Sequence, residues 1–194
     1  MHCQLLNNCL LHKVPGKYHE DVALVNAAQS GDQKAFEQIV QKYSGMVAKV
    51  TIGMLGRVAA AEDVGQETFL RFYRSMHQYK GDAALGTYLT RIAINLSLNE
   101  LKRRGSHKWL SLEEKHDPLY AENRSFQKTD QAEWVEKALA QLDENHRTVV
   151  VLRLIEGFST KETAAMLGLP LGTVLSRLAR AQEKLRTILK RLEK

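Results

Sequence analysis

No apolar run in this chain approaches the roughly 18 residues that a bilayer-crossing helix needs, so no membrane insertion is expected. Cysteine is nearly missing: Cys3 and Cys9 are the only two, beside His2 and His12 in a ragged start. They lack the closely spaced ligand pair from which structural zinc sites are built, so no metal is expected. The same start has neither a cationic leader nor a small-residue cleavage site, which predicts a cytoplasmic protein. Sustained apolar alternation is absent too. Apolar positions recur at three and four residues instead, which argues against a sheet and predicts an all-α fold. There is no glycine-rich phosphate loop and no nucleophile with a base at motif spacing, so neither an enzyme nor a cofactor is expected.

What is present is apolar material for packed cores, 44% of 194 residues, and a net charge of +6 that favours an acidic partner such as nucleic acid. The charge is placed unevenly. Residues 171–194 carry seven cations against two acids, a balance of +5, while residues 111–146 carry four against nine, a balance of −5. A block pattern of this kind suits polyanion contact by one part and a solvated or protein-facing role for another. Asp32 is placed to cap a helix carrying Phe36, Ile39, Val40, Tyr43, Val47 and Val50 and ended by Gly53 and Gly56. Further helices are predicted at about 60–77 and 84–104. The periodicity fades around Pro118 and resumes near Asp130. The chain therefore divides into an N-terminal extension (1–20), a small helical domain (21–105), a flexible linker (106–129) and a second small helical domain (130–194). In the second, Leu139, Leu142, Val149, Val150, Leu152 and Leu154 are expected to pack on the last two helices.

Those last two helices have the layout of a helix-turn-helix. Ser159-Thr-Lys-Glu162 is a capping box, in which the serine hydroxyl accepts from a free backbone N–H and the glutamate reaches back to the cap residue. The helix it starts stops at Gly168, the residue suited to a left-handed helix end. Pro170 then sits where the first turn of a new helix tolerates a missing N–H, and a long basic helix comes after it. Its N-terminal residues would enter a major groove.

Upstream, Arg91, Asn95, Asn99 and Lys102 or Arg103 share one helical face, opposite Leu85, Leu89, Ile92, Ala93 and Leu96. Amides can pair with base edges and cations with phosphates, whereas the bland alternative is an ordinary solvated face. Two asparagines inside a helix are poor for propensity, which favours a contact for them. Tyr79, Lys80 and Tyr88 surround a glycine-containing turn, where rings near cations can stack on unpaired bases or can simply edge the core. On the preceding helix Asp63, Gln66, Glu67, Leu70 and Arg71 form an exposed stripe with Arg74. Its mixture of acid and apolar groups suits a protein partner better than phosphate.

Four stretches in order carry a resemblance: Glu62-Asp-Val-Gly-Gln-Glu-Thr-Phe-Leu-Arg-Phe-Tyr-Arg74, Tyr79-Lys-Gly-Asp with Thr87-Tyr-Leu-Thr-Arg-Ile-Ala-Ile-Asn95, Gly157-Phe-Ser-Thr-Lys-Glu-Thr-Ala, and Leu169-Pro-Leu-Gly-Thr-Val-Leu-Ser-Arg-Leu178. From about residue 22 onward the chain resembles the extracytoplasmic-function sigma factors. The resemblance implies a subunit of bacterial RNA polymerase that confers promoter choice and has no catalysis of its own. It implies that Asp63, Gln66, Glu67, Leu70 and Arg71 dock on core polymerase, and that Tyr79, Lys80, Tyr88, Arg91, Asn95, Asn99, Lys102 and Arg103 open the minus-10 element. It implies that Thr173, Leu175, Ser176, Arg177 and Arg180 read the minus-35 element as duplex. An anti-sigma protein is the usual further partner of such factors. Many relatives have tryptophan where Tyr88 stands and a cation where Leu175 stands, so Leu175 can offer only apolar contact, for instance to a thymine methyl. The rival reading is a stand-alone helix-turn-helix regulator with a dimerisation or sensor domain.

Overall fold

A computed structural model describes residues 15–108 and 130–192. The cysteine-bearing start and most of the linker lie outside them. Among the described residues every regular element is helical: α1 (Pro15–Gln29), α2 (Gln33–Leu55), α3 (Ala59–Ser75), α4 (Leu85–Lys108), α5 (Asp130–Ala140), α6 (Glu144–Val150), α7 (Thr160–Leu167) and α8 (Leu171–Leu192). A 3-10 turn, Met76–Gln78, succeeds α3, and a π-helical turn, Val151–Ile155, continues α6. A helix already spans residues 15–20, which the sequence pattern assigned to an extension.

The first four helices close around Ile39, Val47, Val50, Met54, Phe72, Leu85 and Leu89, all fully buried. Asp32 caps α2 as expected, its carboxylate accepting from the N–H groups of Lys34 and Ala35. The buried Asp21 fastens α1 to α2, accepting from Lys42 Nζ at 2.8 Å and from the Tyr43 hydroxyl at 2.5 Å. Burial and that carboxylate both push the Tyr43 hydroxyl far above its ordinary pKa, so it stays a neutral donor.

Helix α2 does not end at Gly53. It runs on to Leu55, and Gly53 lies inside it, because this is where another helix comes closest. A Cβ at Gly53 would stand 3.0 Å from a Val151 methyl, with the other Val151 methyl and Ile155 Cδ1 as its next neighbours. The second half of the chain is thus packed against the first. Val151, Leu152 and Phe158 belong to the same apolar core as α2. Two expectations change accordingly: Leu152 joins the first core rather than the second, and Leu154 is exposed. The second core holds Ala138, Leu139, Leu142 and Val150 against Ala181 and Ile188, with Val149, Ala164 and Val174 forming a small cluster inside the helix-turn-helix.

One guanidinium ties these parts together. Arg147 donates to the carbonyls of Leu139, Ala140 and Leu142 at the end of α5, and across the boundary to Met54 O at 2.6 Å. These are carbonyls that a helix C-terminus leaves without an intrahelical partner. Arg57 pairs with Glu136 over the same boundary at 2.5 Å. Asp143 caps α6, accepting from the N–H of His146; it also receives Lys184 Nζ of α8 at 2.9 Å and lies 2.5 Å from His146 Nδ1. Burial opposes charge on Asp143, but the hydrogen bonds from Lys184 and His146 outweigh it and hold the carboxyl well below its ordinary value.

Two stability outcomes are expected. Gly65 lies inside α3, where an added Cβ would meet its nearest neighbours at 3.9 and 4.0 Å, an ordinary contact distance. Gly65→Ala should therefore raise stability by up to about 1 kcal/mol in urea unfolding, since glycine costs a helix interior that much. Asp143→Asn keeps a good cap, since asparagine caps as well as aspartate, but loses the charge that Lys184 and His146 engage, and with the carboxylate half-exposed this should cost up to about 1 kcal/mol at pH 7. Because the folded-state pKa is held well below the ordinary value of 3.8, the wild-type advantage is fully present above 3.8 and is lost only as pH falls on through the lower folded value. Unfolding series carried from pH 7 into strong acid should show a difference that persists near pH 3 and narrows only below it.

Candidate polymerase and nucleic-acid interfaces

On α3 the side chains of Val64, Thr68 and Phe72 are buried, the Thr68 hydroxyl donating to Val64 O, and this burial fixes which residues face out. Asp63, Gln66, Leu70 and Arg71 are exposed, with Leu70 at 49% exposure an apolar group of unusual prominence. Glu67 is half-buried and gathers the cations of its own helix, Arg71 Nε at 3.2 Å and Arg74 Nη1 at 4.0 Å.

On α4 the predicted stripe is exposed at Arg91, Asn95, Asn99, Lys102 and Arg103, while Leu85, Leu89, Ala93 and Leu96 are buried and Ile92 is half-buried. Glu100 sits beside this stripe and holds Arg103 and Arg104 through hydrogen bonds of 2.8–2.9 Å. The Arg103 hydrogen bond foremost, with help from Arg104, lowers the Glu100 pKa in spite of its burial.

The two tyrosines part company. Tyr79 is only 8% exposed, its hydroxyl donates to Ala83 O at 2.7 Å, and its ring stands edge-on to Phe72 and Tyr88. It is a core residue that shapes the turn, not a ring presented for stacking. Tyr88 is half-buried, supported edge-on by Phe72 and Tyr79 with ring centroids 6.0 and 5.4 Å away. It forms one wall of a groove of about 380 Å³ with Arg71, Arg74, Ser75, Ile92 and Asn95. Lys80 is exposed at the turn itself.

Sequence reasoning treated the α3 and α4 faces as separate sites, yet they adjoin. A second groove, of about 280 Å³, is lined by Asp63, Glu67 and Arg71 of α3 and by Asn99, Glu100 and Arg103 of α4. Arg71 borders both grooves. Ser75 and Ile92 beside Tyr88 were not singled out from sequence. The signal for them was available only in part: Ser75 lies one turn beyond Arg71, but that it faces Tyr88 depends on how α3 and α4 cross.

The helix-turn-helix forms as its sequence signals predict. Ser159 Oγ accepts from the Glu162 N–H at 3.2 Å, the Ser159 N–H donates to Glu162 Oε2 at 2.7 Å, and α7 ends at Gly168 with φ 64° in the left-handed region. On α8, Val174 and Ala181 are buried, leaving Leu175, Ser176 and Arg180 exposed and Thr173 and Arg177 half-buried. Leu175 is 55% exposed, and Leu171, one turn before it, is 50% exposed, so the front of this helix is apolar. The Ser176 hydroxyl donates to Thr173 O, and Arg177 Nη1 donates to Asn145 Oδ1 of α6 at 3.0 Å. Among the described residues no cluster of ligating side chains could hold a metal, and no helix is long and apolar enough to cross a membrane.

Comparison with known proteins agrees with this arrangement. The Sigma-70 region 2 family matches residues 39–107, and the Sigma-70 region 4 family matches residues 132–185. The chain is 33% identical to the RNA polymerase sigma-H factor of Pseudomonas aeruginosa, over 84% of its own length and 91% of that protein. It is 28% identical to the ECF RNA polymerase sigma factor SigW of Bacillus subtilis, over 87% of its length and 96% of that protein. Among solved structures, CnrH in complex with the cytosolic domain of CnrY aligns with a TM-score of 0.64 at 29% identity, covering 88% of this chain and 97% of that one. The sigma factor RpoE of Bartonella quintana, in complex with the anti-sigma factor NepR, shares the fold with a TM-score of 0.68 at 24% identity, over 81% of this chain and 98% of that one. With both regions matched in order and the relatives covered nearly end to end, the chain belongs to the sigma-70 family, in its extracytoplasmic-function group.

Proposed function

We propose that this chain binds core RNA polymerase and directs promoter-specific initiation by recognising a minus-10 and a minus-35 element. The observation that carries this reading is the junction of α3 and α4. An exposed acidic and apolar face, suited to a protein partner, shares Arg71 with a groove walled by Tyr88 and Asn95, suited to an unstacked base. A stand-alone regulator has no need of a protein-docking face contiguous with a base-sized groove.

In this reading residues 21–105 serve the polymerase and the minus-10 element, residues 106–129 link, and residues 130–194 serve the minus-35 element. Asp63, Gln66, Glu67, Leu70 and Arg71 dock on the polymerase. Tyr88, Arg91, Asn95, Asn99, Lys80, Lys102 and Arg103 engage the melted element, with Tyr79 buttressing Tyr88. Thr173, Leu175, Ser176, Arg177 and Arg180 face the duplex. The protein acts in the cytoplasm, where the polymerase is, and carries out no catalysis of its own. An anti-sigma protein is its expected antagonist, of the kind that NepR is for RpoE of Bartonella quintana.

Three variants separate the roles. Leu70→Glu should abolish binding to core polymerase with unchanged circular dichroism, and retained binding would refute the docking face. Asn95→Ala should slow promoter opening, read by permanganate reactivity of unpaired thymines, while leaving core binding intact. Arg180→Ala should weaken duplex binding and, if it neutralises a phosphate, reduce the slope of log affinity against log salt by about one. Selecting promoters from a random DNA pool with reconstituted holoenzyme tests the reading as a whole, and failure to support specific initiation on core polymerase would overturn it.

A further inference from the structure

We propose that Leu171 and Leu175, at the front of α8, read thymine methyl groups in the minus-35 element, so that this chain chooses that element by apolar contact. The proposal rests on the reading of α8 as the helix that enters the duplex.

The two leucines are surplus to the fold. Helix α8 closes its cores with Val174, Ala181 and Ile188, which are buried, and with Leu178, Leu185 and Leu189, which are half-buried and packed against them. Leu171 and Leu175 are 50% and 55% exposed and join none of the apolar clusters among the described residues. They stand one turn apart, and Ala179, exposed one turn further on, continues the same apolar stripe. The polar groups beside them are engaged within the chain: the Ser176 hydroxyl donates to Thr173 O at 3.1 Å, and Arg177 Nη1 is turned back on Asn145 of α6. Gly172 puts no side chain in front of them, and a Cβ there would meet nothing within 4 Å. The leucines are therefore the large side chains that this end of the helix presents.

Chemistry decides what such a front fits. In the major groove the base pairs show hydrogen-bond donors and acceptors, and the apolar group among them is the C5-methyl of thymine. A leucine can neither donate nor accept, so over any other base edge it strips water from a polar group and returns nothing. Over a thymine methyl it buries apolar surface instead. Residues one turn apart are about 6 Å apart along the helix axis, against about 3.4 Å for each base-pair step, so the pair of leucines spans one or two steps and can meet two methyl groups at once. The surrounding charge makes duplex DNA the occupant of this stripe. Arg180, Arg186, Lys190 and Arg191 stand exposed along the same helix, and residues 171–194 carry seven cations against two acids, complementary to the phosphates that flank a groove.

Uracil provides the test, because it differs from thymine only by the methyl group. Promoters recovered from the random pool by holoenzyme containing the full-length chain should carry thymine, on either strand, within the minus-35 element. Replacing those thymines one at a time with uracil should weaken holoenzyme binding about three- to fourfold at the positions that the leucines meet, the worth of one buried methyl. With Leu171→Ala or Leu175→Ala in the holoenzyme, the ratio of thymine to uracil affinity should fall to about one at the position that leucine meets. Leu175→Arg should select guanine where wild type selects thymine. A selected minus-35 element without thymine, or one in which wild type tolerates uracil at every position, would overturn the proposal. Alanine variants that weaken thymine and uracil promoters alike, and so keep the wild-type ratio, would also overturn it, by placing the leucines against protein instead of a base. Failure of the wild-type chain to bind core polymerase, or to initiate at any selected promoter, would instead sink the functional reading on which the proposal rests.

Discussion

Residues 148 to 152 are the constraint on which the rest of the structure depends. Thr148, Val149, Val150, Val151 and Leu152 are all buried, five in succession. Successive residues of an α-helix turn by about 100°, so five of them sweep the whole circumference, and a helix buried all round must lie between two bodies. One side meets α7 and α8 through Val149 and Val150, and the other meets α2 through Val151 and Leu152. The π-helical turn serves this double contact. Its wider hydrogen bond, Glu156 N–H to Val151 O at 2.9 Å, slips one residue into the helix and shifts the phase of the residues beyond it. Both cores are closed by the same short stretch of chain.

That constraint also explains which parts of the fold were legible in the sequence. Capping depends on residues three or four apart, so Asp32, Ser159 with Glu162, and Gly168 could be read directly, and each does what its spacing implies. The one-sided faces of α3 and α4 were legible for the same reason. Periodicity assumes that each helix buries one stripe, and this is where it failed: Leu152 and Leu154 were assigned to one core when the chain was serving two. Gly53 looked like a helix end because glycine usually weakens helices, whereas here it permits a close approach that only the partner helix reveals. Arg147 reads as one more cation in an acidic stretch, and nothing local says that four carbonyls will converge on it. Tyr79 and Tyr88 are similar in sequence context and opposite in role, because the difference lies in which ring the crossing of α3 and α4 encloses.

The candidate binding faces carry less free positive charge than a count of their residues suggests. Glu67 engages Arg71 and Arg74, and Glu100 engages Arg103 and Arg104. Exposed pairs of this kind contribute little to stability, so their larger consequence is electrostatic: they blunt the attraction of the first region for any phosphate backbone. In the proposed role, affinity that does not depend on sequence would thereby be reduced at this face. What remains prominent at the groove is Tyr88, Ile92 and Asn95, whose ring face and amide would suit an unstacked base in the proposed role. The last helix does the reverse. Arg180, Arg186, Lys190 and Arg191 stand along it away from the buried Val174 and Ala181, in keeping with a role as the electrostatic anchor on duplex DNA.

The geometry of that anchor is set from behind. Asn145 accepts from Arg177 and Asp143 from Lys184, so the first turn of α6 brackets two cations of α8 about two turns apart. Asp143 is at once the cap that starts α6 and the acceptor that aligns α8, which links the direction of the recognition helix to the start of the helix buried between the two cores. The other end of that buried helix presses on Gly53. A rotation of α6 against α2 would therefore carry α8 with it, because the α6–α8 bracket ties the two helices together. The direction of α8 is thus referred to α2 through α6, whose continuation is buried between the two cores.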